Sequence, residues 1–217
     1  MENYFVPASR YSLETRVANS RFIATISPAF SVEEAKDFIS QINKKYADAT
    51  HNVPAFIIGH GSSMISHSSD NGEPSGTAGR PALSVLKGSG LGDAVLVITR
   101  YFGGTKLGTG GLVKAYSDSA RKIIAAVPKA KKTLVHYVSL ECPYTLYELI
   151  DRTIRKHQGR VIKETFTDKV KLIYSISINS YDELQNAIKE LSSGQIQSLI
   201  DKPNQVSLIP ETDIRNK

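Results

Sequence analysis

The residues best suited to bind an anion are concentrated in one glycine-rich stretch, residues 99–112, with the sequence TRYFGGTKLGTGGL. It contains five of the 15 glycines, and its two bases, Arg100 and Lys106, have no acidic residue beside them in the stretch. Backbone amides at a glycine-rich helix start, next to basic side chains, can hold phosphate. The same glycines could instead form a tight turn that lets two elements pack closely. The spacing alone leaves both interpretations open.

A second helix start, at residues 77–80, has the sequence TAGR and also offers unpaired amides at a positive dipole end. We therefore predict one anion-binding surface from both starts. Its residues are Arg80, Arg100, Lys106, Lys114 and Arg121, with the amides of Gly79, Gly110 and Gly111. Tyr101 and Phe102 are candidates to stack on bases, although such residues are more often part of the core. Neither start has the order of a P-loop or a dinucleotide-binding motif, which argues against nucleotide hydrolysis.

The charge distribution supports a surface that faces a polyanion. The formal net charge is +6, but residues 100–132 hold eight bases and one acid, Asp118, and so carry +7. The remaining chain therefore carries −1. Charge gathered in one region favours contact with nucleic acid over general solubility. The alternative is a solvated helix face followed by a basic linker.

Acid–base or metal chemistry has weaker candidates in one polar region. His51, His60 and His67 lie there together with Asp70 and Glu73, but no pair falls on one helix face and no ligand signature is present. We predict no metal and no cofactor. His51, Asp70 and Glu73 remain the candidates for catalysis on a small anionic substrate, unless they only hold turns.

Composition is that of an ordinary globular protein. The chain has 217 residues, enough for one large or two modest domains, and 41% of them are hydrophobic. The single cysteine, Cys142, excludes an intramolecular disulfide, and we predict a buried thiol. No leader and no apolar run of membrane-spanning length is evident, so we expect a cytoplasmic protein with no membrane contact. A serine hydrolase is disfavoured because the chain has no G-x-S-x-G motif.

Hydrophobic periodicity and caps predict the elements that position the glycine-rich stretch. Residues 1–20 are expected to form a partly ordered arm. A long polar loop is expected at 59–79, and Thr77 is the predicted N-cap of the helix after it. The predicted elements up to residue 127 are a strand at 21–26, a helix from the capping box Ser31/Glu34 to about Tyr46, strands at 55–58 and 94–98, and helices at 77–87 and 109–127.

The basic residues 129–132 are predicted to mark a domain boundary. The pattern beyond them indicates a strand at 133–140, a helix at 146–154, strands at 160–166 and 170–178, a helix after a second capping box Ser180/Glu183, and a strand at 196–200. This order is βαββαβ, the ferredoxin-like pattern. Residues 203–217 are predicted to be a loose tail.

Two motifs resemble those of the IMPACT/YigZ family: GEPSGTAG at 72–79 and RYFGGTKLGTGGLVKAY at 100–116. Residues 21–24 and 49–52 are also similar, so the resemblance covers roughly residues 15–127. The C-terminal half resembles the small second domain of the bacterial members. The family usually has Asp-Asp-Gly-Glu-Pro where this chain has DNGEP at 70–74, so a role that needs both carboxylates is not expected to transfer.

The resemblance implies an α+β protein with domains at 1–130 and 133–202 and a tail at 203–217. The first is similar to the second domain of ribosomal protein S5, and the other to the ferredoxin-like domains III and V of elongation factor G. Both likenesses imply contact with RNA or the ribosome. Eukaryotic relatives regulate translation by competing for an activator of a stress kinase, with the help of added domains. Some bacterial members are labelled hydrolases, but nothing in these residues supports that label.

Taken together, the sequence predicts a protein that binds RNA or the ribosome and influences translation. A translation-related protein is a possible further partner. Two alternatives remain: a hydrolase-like enzyme that acts on a small anionic substrate, and a regulator that binds an acidic helix of a partner protein.

Overall fold

A computed structural model describes residues 4–211, which divide into two compact units. The N-terminal unit comprises residues 4–131 and 208–211, and the C-terminal unit comprises residues 132–207. The chain is mixed α and β, with antiparallel strand pairs in both units. Residues 129–132, predicted to mark a domain boundary, contain the point where the two units divide and also begin a long strand.

The N-terminal unit is built on a five-stranded antiparallel sheet in the order β2-β3-β6-β4-β5. Its elements are β1 Tyr4–Pro7, β2 Tyr11–Val17, β3 Ser20–Pro28, α1 Val32–Lys45, β4 His51–Ile58, β5 Ile65–Ser68, α2 Gly79–Lys87, β6 Ala94–Tyr101 and α3 Gly108–Ala126. The central strand β6 leads directly into the glycine-rich stretch. In register, Arg100 on β6 lies opposite Phe22 on β3 and His51 on β4.

Helices cover both faces of this sheet because side chains alternate along each strand. Leu96 and Ile98 of β6 belong to the larger core, which α2 and α3 complete. Val95 and Val97 point the other way, into a smaller core with α1. The apolar run of β6 is therefore buried on both faces, as its composition predicts. As a result, α1 lies on the opposite face of the sheet from α2 and α3.

The C-terminal unit has the predicted βαββαβ order, with strands arranged β8-β9-β7-β10. Its elements are β7 Lys129–Cys142, α4 Tyr144–Lys156, β8 Arg160–Phe166, β9 Val170–Ser177, α5 Tyr181–Leu191 and β10 Ser198–Pro210, of which the first three residues of β7 and the last three of β10 fall in the N-terminal unit. Both helices contribute to one core with the sheet. Cys142 is buried there, as predicted, and burial raises the pKa of its thiol.

Three segments predicted to lack regular structure contain strands. Residues 4–7 and 11–17 form β1 and β2, and residues 65–68 of the polar loop form β5. The predicted tail contributes to β10, which continues to Pro210; residues 1–3 and 212–217 lie outside the described residues. Strands such as β2 and β5 end a sheet and bury only part of their surface. Their hydrophobic signal in the sequence is correspondingly weak.

The two predicted capping boxes have different outcomes. At α1, the Glu34 N–H donates to Ser31 Oγ at 3.1 Å, as predicted, while the Glu34 carboxylate accepts from the Phe30 N–H at 2.8 Å. At α5, the Ser180 side chain makes no capping bond. A sequence match to this motif therefore identifies the helix start in both cases but the side-chain bond in only one.

The glycine-rich stretch contains one glycine that packing requires and one that it does not. A Cβ on Gly103 would overlap the backbone carbonyl of Asn19, whereas a Cβ on Gly110 would meet nothing within 4 Å. We expect Gly103→Ala to lower the free energy of unfolding by about 1–3 kcal/mol. Gly110→Ala should raise it by about 0.5–1 kcal/mol, because alanine is the better helix former. Urea unfolding of both variants measures this, and equal effects would contradict the packing described here.

Candidate functional site

The loop before α2 is shaped by a turn at Asn71-Gly72. The φ angles of these residues are +45° and +87°, as in the type I′ turns that favour this dipeptide. The turn is closed by the Glu73 N–H, which donates to the Asp70 carbonyl at 3.1 Å. It places the carboxylates of Asp70 and Glu73 in two different environments.

Asp70 binds the start of α2. Its carboxylate accepts from the N–H groups of Gly76 at 2.7 Å, Ala78 at 3.0 Å and Gly79 at 2.8 Å. The Gly79 amide, predicted to bind an external anion, is therefore bound to a carboxylate of the same chain. Thr77 is not the N-cap as predicted: Ala78 holds that position, and the Thr77 hydroxyl donates to the Pro74 carbonyl at 2.7 Å.

Glu73 forms the centre of a buried cluster. Its side chain is only 3% exposed, and Oε1 accepts from Arg100 Nη1 at 2.7 Å and from the Tyr116 hydroxyl at 2.7 Å. Tyr116 lies on α3 and Arg100 on β6, so this carboxylate joins the loop to the central strand and to a helix. Burial, followed by the hydrogen bond to Glu73, raises the pKa of Tyr116 far above its usual range, so its hydroxyl stays a donor.

Arg100 is a buried residue and not part of an exposed surface. Its side chain is 6% exposed, Nη2 donates to Ser20 Oγ at 3.3 Å, and the guanidinium lies over the rings of Phe22 and Phe102 at 5.5 Å from each centroid. Its Nε is buried without a hydrogen-bond partner among residues 4–211. The sequence has no acid beside Arg100 in the glycine-rich stretch, but the topology brings Glu73, which lies 27 positions earlier, against it.

His51 completes the cluster from the first position of β4. Its Nδ1 lies 2.9 Å from the Asn71 carbonyl oxygen, which can only accept, so this nitrogen carries the proton. Nε2 then faces Glu73 Oε2 at 3.9 Å. Of the three acid–base candidates, His51 and Glu73 thus converge beside Arg100, while Asp70 is bound to α2.

Asn71 attaches the turn to β4 through a hydrogen bond that a carboxylate could not donate. Its Nδ2 donates to the Asn52 carbonyl at 2.6 Å, and an ionised aspartate has no proton to donate there. The Asn52 side chain is itself held, since it accepts from the Thr99 hydroxyl at 2.6 Å and donates to the Tyr46 carbonyl at 3.0 Å. The Asn71 side chain therefore ties the turn to β4.

The other predicted bases are exposed. Lys114 and Arg121 lie seven positions apart on α3 and so share one face of that helix. Lys106 is exposed just before α3, and Arg80 is exposed at the start of α2. Arg121 forms an ion pair with Asp118 at 2.7 Å, but both side chains are well exposed, so this pair holds the base only weakly.

The amides and aromatic residues of the stretch differ in accessibility. A Cβ added to Gly110 would meet no atom within 4 Å, whereas a Cβ added to Gly111 would lie 3.0 Å from the Leu107 side chain. Tyr101 is held by its hydroxyl, which donates to Asp48 at 2.8 Å. Phe102, in contrast, is 45% exposed. The space beside Gly110 is therefore open, and the exposed aromatic ring of the stretch is that of Phe102.

The three histidines of the polar region have separate neighbours. His60 stacks on Tyr4 with centroids 4.9 Å apart, and His67 lies beside Phe56 at 5.5 Å. In the part of the chain that the structure describes, no three histidine, cysteine or acidic side chains are grouped to hold a metal ion. None of the helices between residues 4 and 211 is long and apolar enough to cross a membrane.

Comparison with known proteins identifies the class to which this fold and site belong. The model of the Impact N-terminal domain matches residues 18–124, a range that contains the whole Glu73 cluster. A domain of unknown function, DUF1949, matches residues 140–195. The protein is therefore an α+β protein with an Impact N-terminal domain followed by this second domain.

Relatives extend the match to most of the chain. An IMPACT family member of Haemophilus influenzae is 35% identical over 200 residues, which cover 90% of this chain and 96% of the relative. The IMPACT family member YigZ of Escherichia coli is 32% identical over 92% of this chain and 98% of its own. A crystal structure described as that of a hypothetical protein has a TM-score of 0.62 at 32% identity, covering 93% and 98% of the two chains. The chain belongs to the IMPACT family, which confirms the resemblance seen in its two glycine motifs.

Because Glu73 and Arg100 are buried against each other, we expect their substitutions to have strongly coupled effects on the free energy of unfolding. Arg100→Met leaves the Glu73 charge buried without its partner, and we expect it to lower the free energy of unfolding by about 3–5 kcal/mol. Glu73→Gln added to that variant removes the uncompensated charge, so the double variant should lose less than the sum of the single variants. Urea unfolding of all three variants measures the coupling. Additivity to within about 0.5 kcal/mol would contradict a direct buried interaction.

The hydrogen bonds to the Asp70 carboxylate lead us to expect that stability depends on pH. Burial raises the pKa of Asp70, but hydrogen bonds from Gly76, Gly79 and Ala78 and the charge of Arg80 outweigh it, so the pKa is lowered overall. The ionised carboxylate therefore stabilises the fold above its unfolded-state pKa, and this contribution disappears as the pH falls through the lowered value. At pH 7 we expect Asp70→Asn to lower the free energy of unfolding by about 1 kcal/mol.

The difference between the wild type and Asp70→Asn should shrink as both are acidified. Unfolding at a series of pH values from neutral to strongly acidic measures it. A difference that stays constant with pH would show that the charge of Asp70 does not hold the start of α2.

Proposed function

We propose that this protein binds RNA or the ribosome through a basic surface of its N-terminal unit and thereby influences translation. This basic surface consists of Arg80, Lys106, Lys114 and Arg121 with the Gly110 amide. The observation that carries the proposal is that all four bases are exposed in a region of strong positive charge. Such a surface binds chiefly through phosphate contacts.

Other predicted site residues support this surface from inside. Arg100 and Glu73 form a buried pair that ties the polar loop to β6, and Tyr116 extends the connection to α3. These residues position the surface and do not contact the ligand. The Gly79 amide is bound to Asp70, so its contribution is also indirect.

The choice of RNA as the polyanion rests on the family resemblance. Likeness to a domain of ribosomal protein S5 and to domains of elongation factor G, inferred from the sequence, favours RNA or a ribosomal particle over a small metabolite. This role places the protein in the cytoplasm. A translation-related protein partner is compatible with the same location.

The enzyme alternative has one observation in its favour, the approach of His51 to Glu73 at 3.9 Å beside Arg100. Three features weigh against it. The guanidinium is already bound to Glu73, Asp70 is engaged at α2, and the side chains of His51 and Glu73 are only 18% and 3% exposed. A small substrate therefore has little access to the two acid–base groups.

The proposal predicts that removal of two exposed bases weakens RNA binding. In Lys106→Ala/Lys114→Ala, the affinity for a structured RNA should fall at least tenfold, and the slope of log affinity against log salt should decrease by about 2. The matched control is Lys36→Ala/Lys44→Ala, which removes two exposed bases from α1 on the opposite face of the sheet. Its affinity should stay within twofold of the wild type.

Fluorescence anisotropy from low to physiological salt measures both variants. The proposal is wrong if the wild type binds no RNA even at low salt, or if the two variants lose affinity equally. His51→Ala provides a further comparison, because under this proposal it should retain the RNA affinity of the wild type.

A further inference from the structure

Phe102 is a large apolar side chain that the core does not use. It directly follows β6, and nearly half of its surface is exposed. Its backbone is fixed, because the Phe102 N–H donates to Thr50 Oγ1 at 3.0 Å. Its neighbour Tyr101, by comparison, is engaged through its hydroxyl with Asp48. Within the glycine-rich stretch, the ring of Phe102 is therefore the one available to a ligand.

The guanidinium of a buried arginine packs against one side of the Phe102 ring. The Arg100 guanidinium lies over one side of it, 5.5 Å from the centroid, and is itself held by Glu73 and Ser20. Cation–π attraction of this kind holds an aromatic ring in one orientation, and the contact is already made in the folded protein before a ligand binds. The exposed part of Phe102, nearly half of its surface, is where a planar group can stack, and little further side-chain ordering is needed when such a group binds.

The residues that follow Phe102 include a glycine in open surroundings and a base. Gly104 has a positive φ of +84°, and an added Cβ would meet nothing within 4 Å, so no side chain at this position screens the ring. Lys106 follows two residues later, and the open Gly110 position lies in the first turn of α3 beyond it. Proteins bind single-stranded nucleic acid with this combination: an exposed aromatic ring stacks on a nucleobase, and basic side chains beside it contact the phosphates.

We propose that the RNA ligand is bound with an unpaired nucleobase stacked on the exposed side of Phe102. This inference rests on the proposed RNA-binding function and specifies its ligand as single-stranded or looped RNA. In a duplex the faces of each base are covered by its neighbours, so the ring has no face to contact. The basic side chains of the basic surface contribute to the binding of both single-stranded and duplex RNA, whereas Phe102 contributes only to the binding of unpaired RNA.

The chain contains no tryptophan, which allows a direct test. Phe102→Trp introduces a single indole at the proposed stacking position. We expect its fluorescence to be quenched when a single-stranded RNA oligonucleotide binds and to change little when a duplex of the same sequence binds. Phe30→Trp is the matched control, since Phe30 is similarly exposed at 39% and precedes α1. Its fluorescence should not respond to either RNA.

A second variant measures the contribution to affinity. Phe102→Leu keeps an apolar side chain but removes the stacking ring, and we expect about a tenfold loss of affinity for the single strand. Its affinity for the duplex should remain within twofold of the wild type. Circular dichroism and urea unfolding confirm that each variant folds as the wild type does.

The outcomes separate the two proposals. If the wild type binds neither RNA, the RNA-binding function is overturned, and this inference with it. Suppose that the wild type binds both RNAs, the fluorescence of Phe102→Trp is not quenched, and Phe102→Leu has the same ratio of single-strand to duplex affinity as the wild type. Only the stacking inference is then overturned. An equal loss of affinity for both RNAs in Phe102→Leu would also overturn it, because the ring would then act in packing.

Discussion

The buried contact between Glu73 and Arg100 is the interaction on which the rest of the N-terminal unit depends. It joins the polar loop to the central strand, and the Tyr116 hydroxyl extends the same carboxylate to α3. A buried charge is tolerated only when an opposite charge and hydrogen bonds compensate for its lost hydration. Replacing one of the two residues alone therefore lowers the free energy of unfolding strongly. The guanidinium that meets this requirement also supports Phe102, which links the internal pair to the exposed glycine-rich stretch.

The basic and acidic groups of the two glycine motifs therefore divide into an internal and an external set. Asp70 binds the start of α2 and Glu73 binds Arg100, so the carboxylates in and just before the motif at 72–79 are engaged within the chain. The motif at 100–116 contributes one base to that internal set and leaves Lys106 and Lys114 exposed. This division explains how one region can be rigid and strongly basic at the same time. The internal charges cancel each other, while the external ones remain available to a polyanion.

Strong local signals made most of the fold predictable. The continuous apolar run of β6 predicted a strand covered on both faces, and the capping box at Ser31 predicted the start of α1. Weaker signals failed, as in β2 and β5, whose partly exposed side chains gave little hydrophobic pattern. The site was harder to predict, since the partner of Arg100 is distant in sequence and only the pairing of β6 with β3 and β4 sets its surroundings. The turn dipeptide Asn71-Gly72 was a usable signal for the neighbourhood of Glu73, but nothing in the sequence distinguished the buried arginine from the exposed bases.

The most direct test of this account is amide hydrogen–deuterium exchange of the wild-type protein with and without a structured RNA. Exchange reads the whole backbone at once and so locates a ligand without assuming where it binds. The account predicts slower exchange in residues 102–114, from Phe102 to the first turns of α3, and unchanged exchange in α1. Protection confined to α1 or to the C-terminal unit would contradict it.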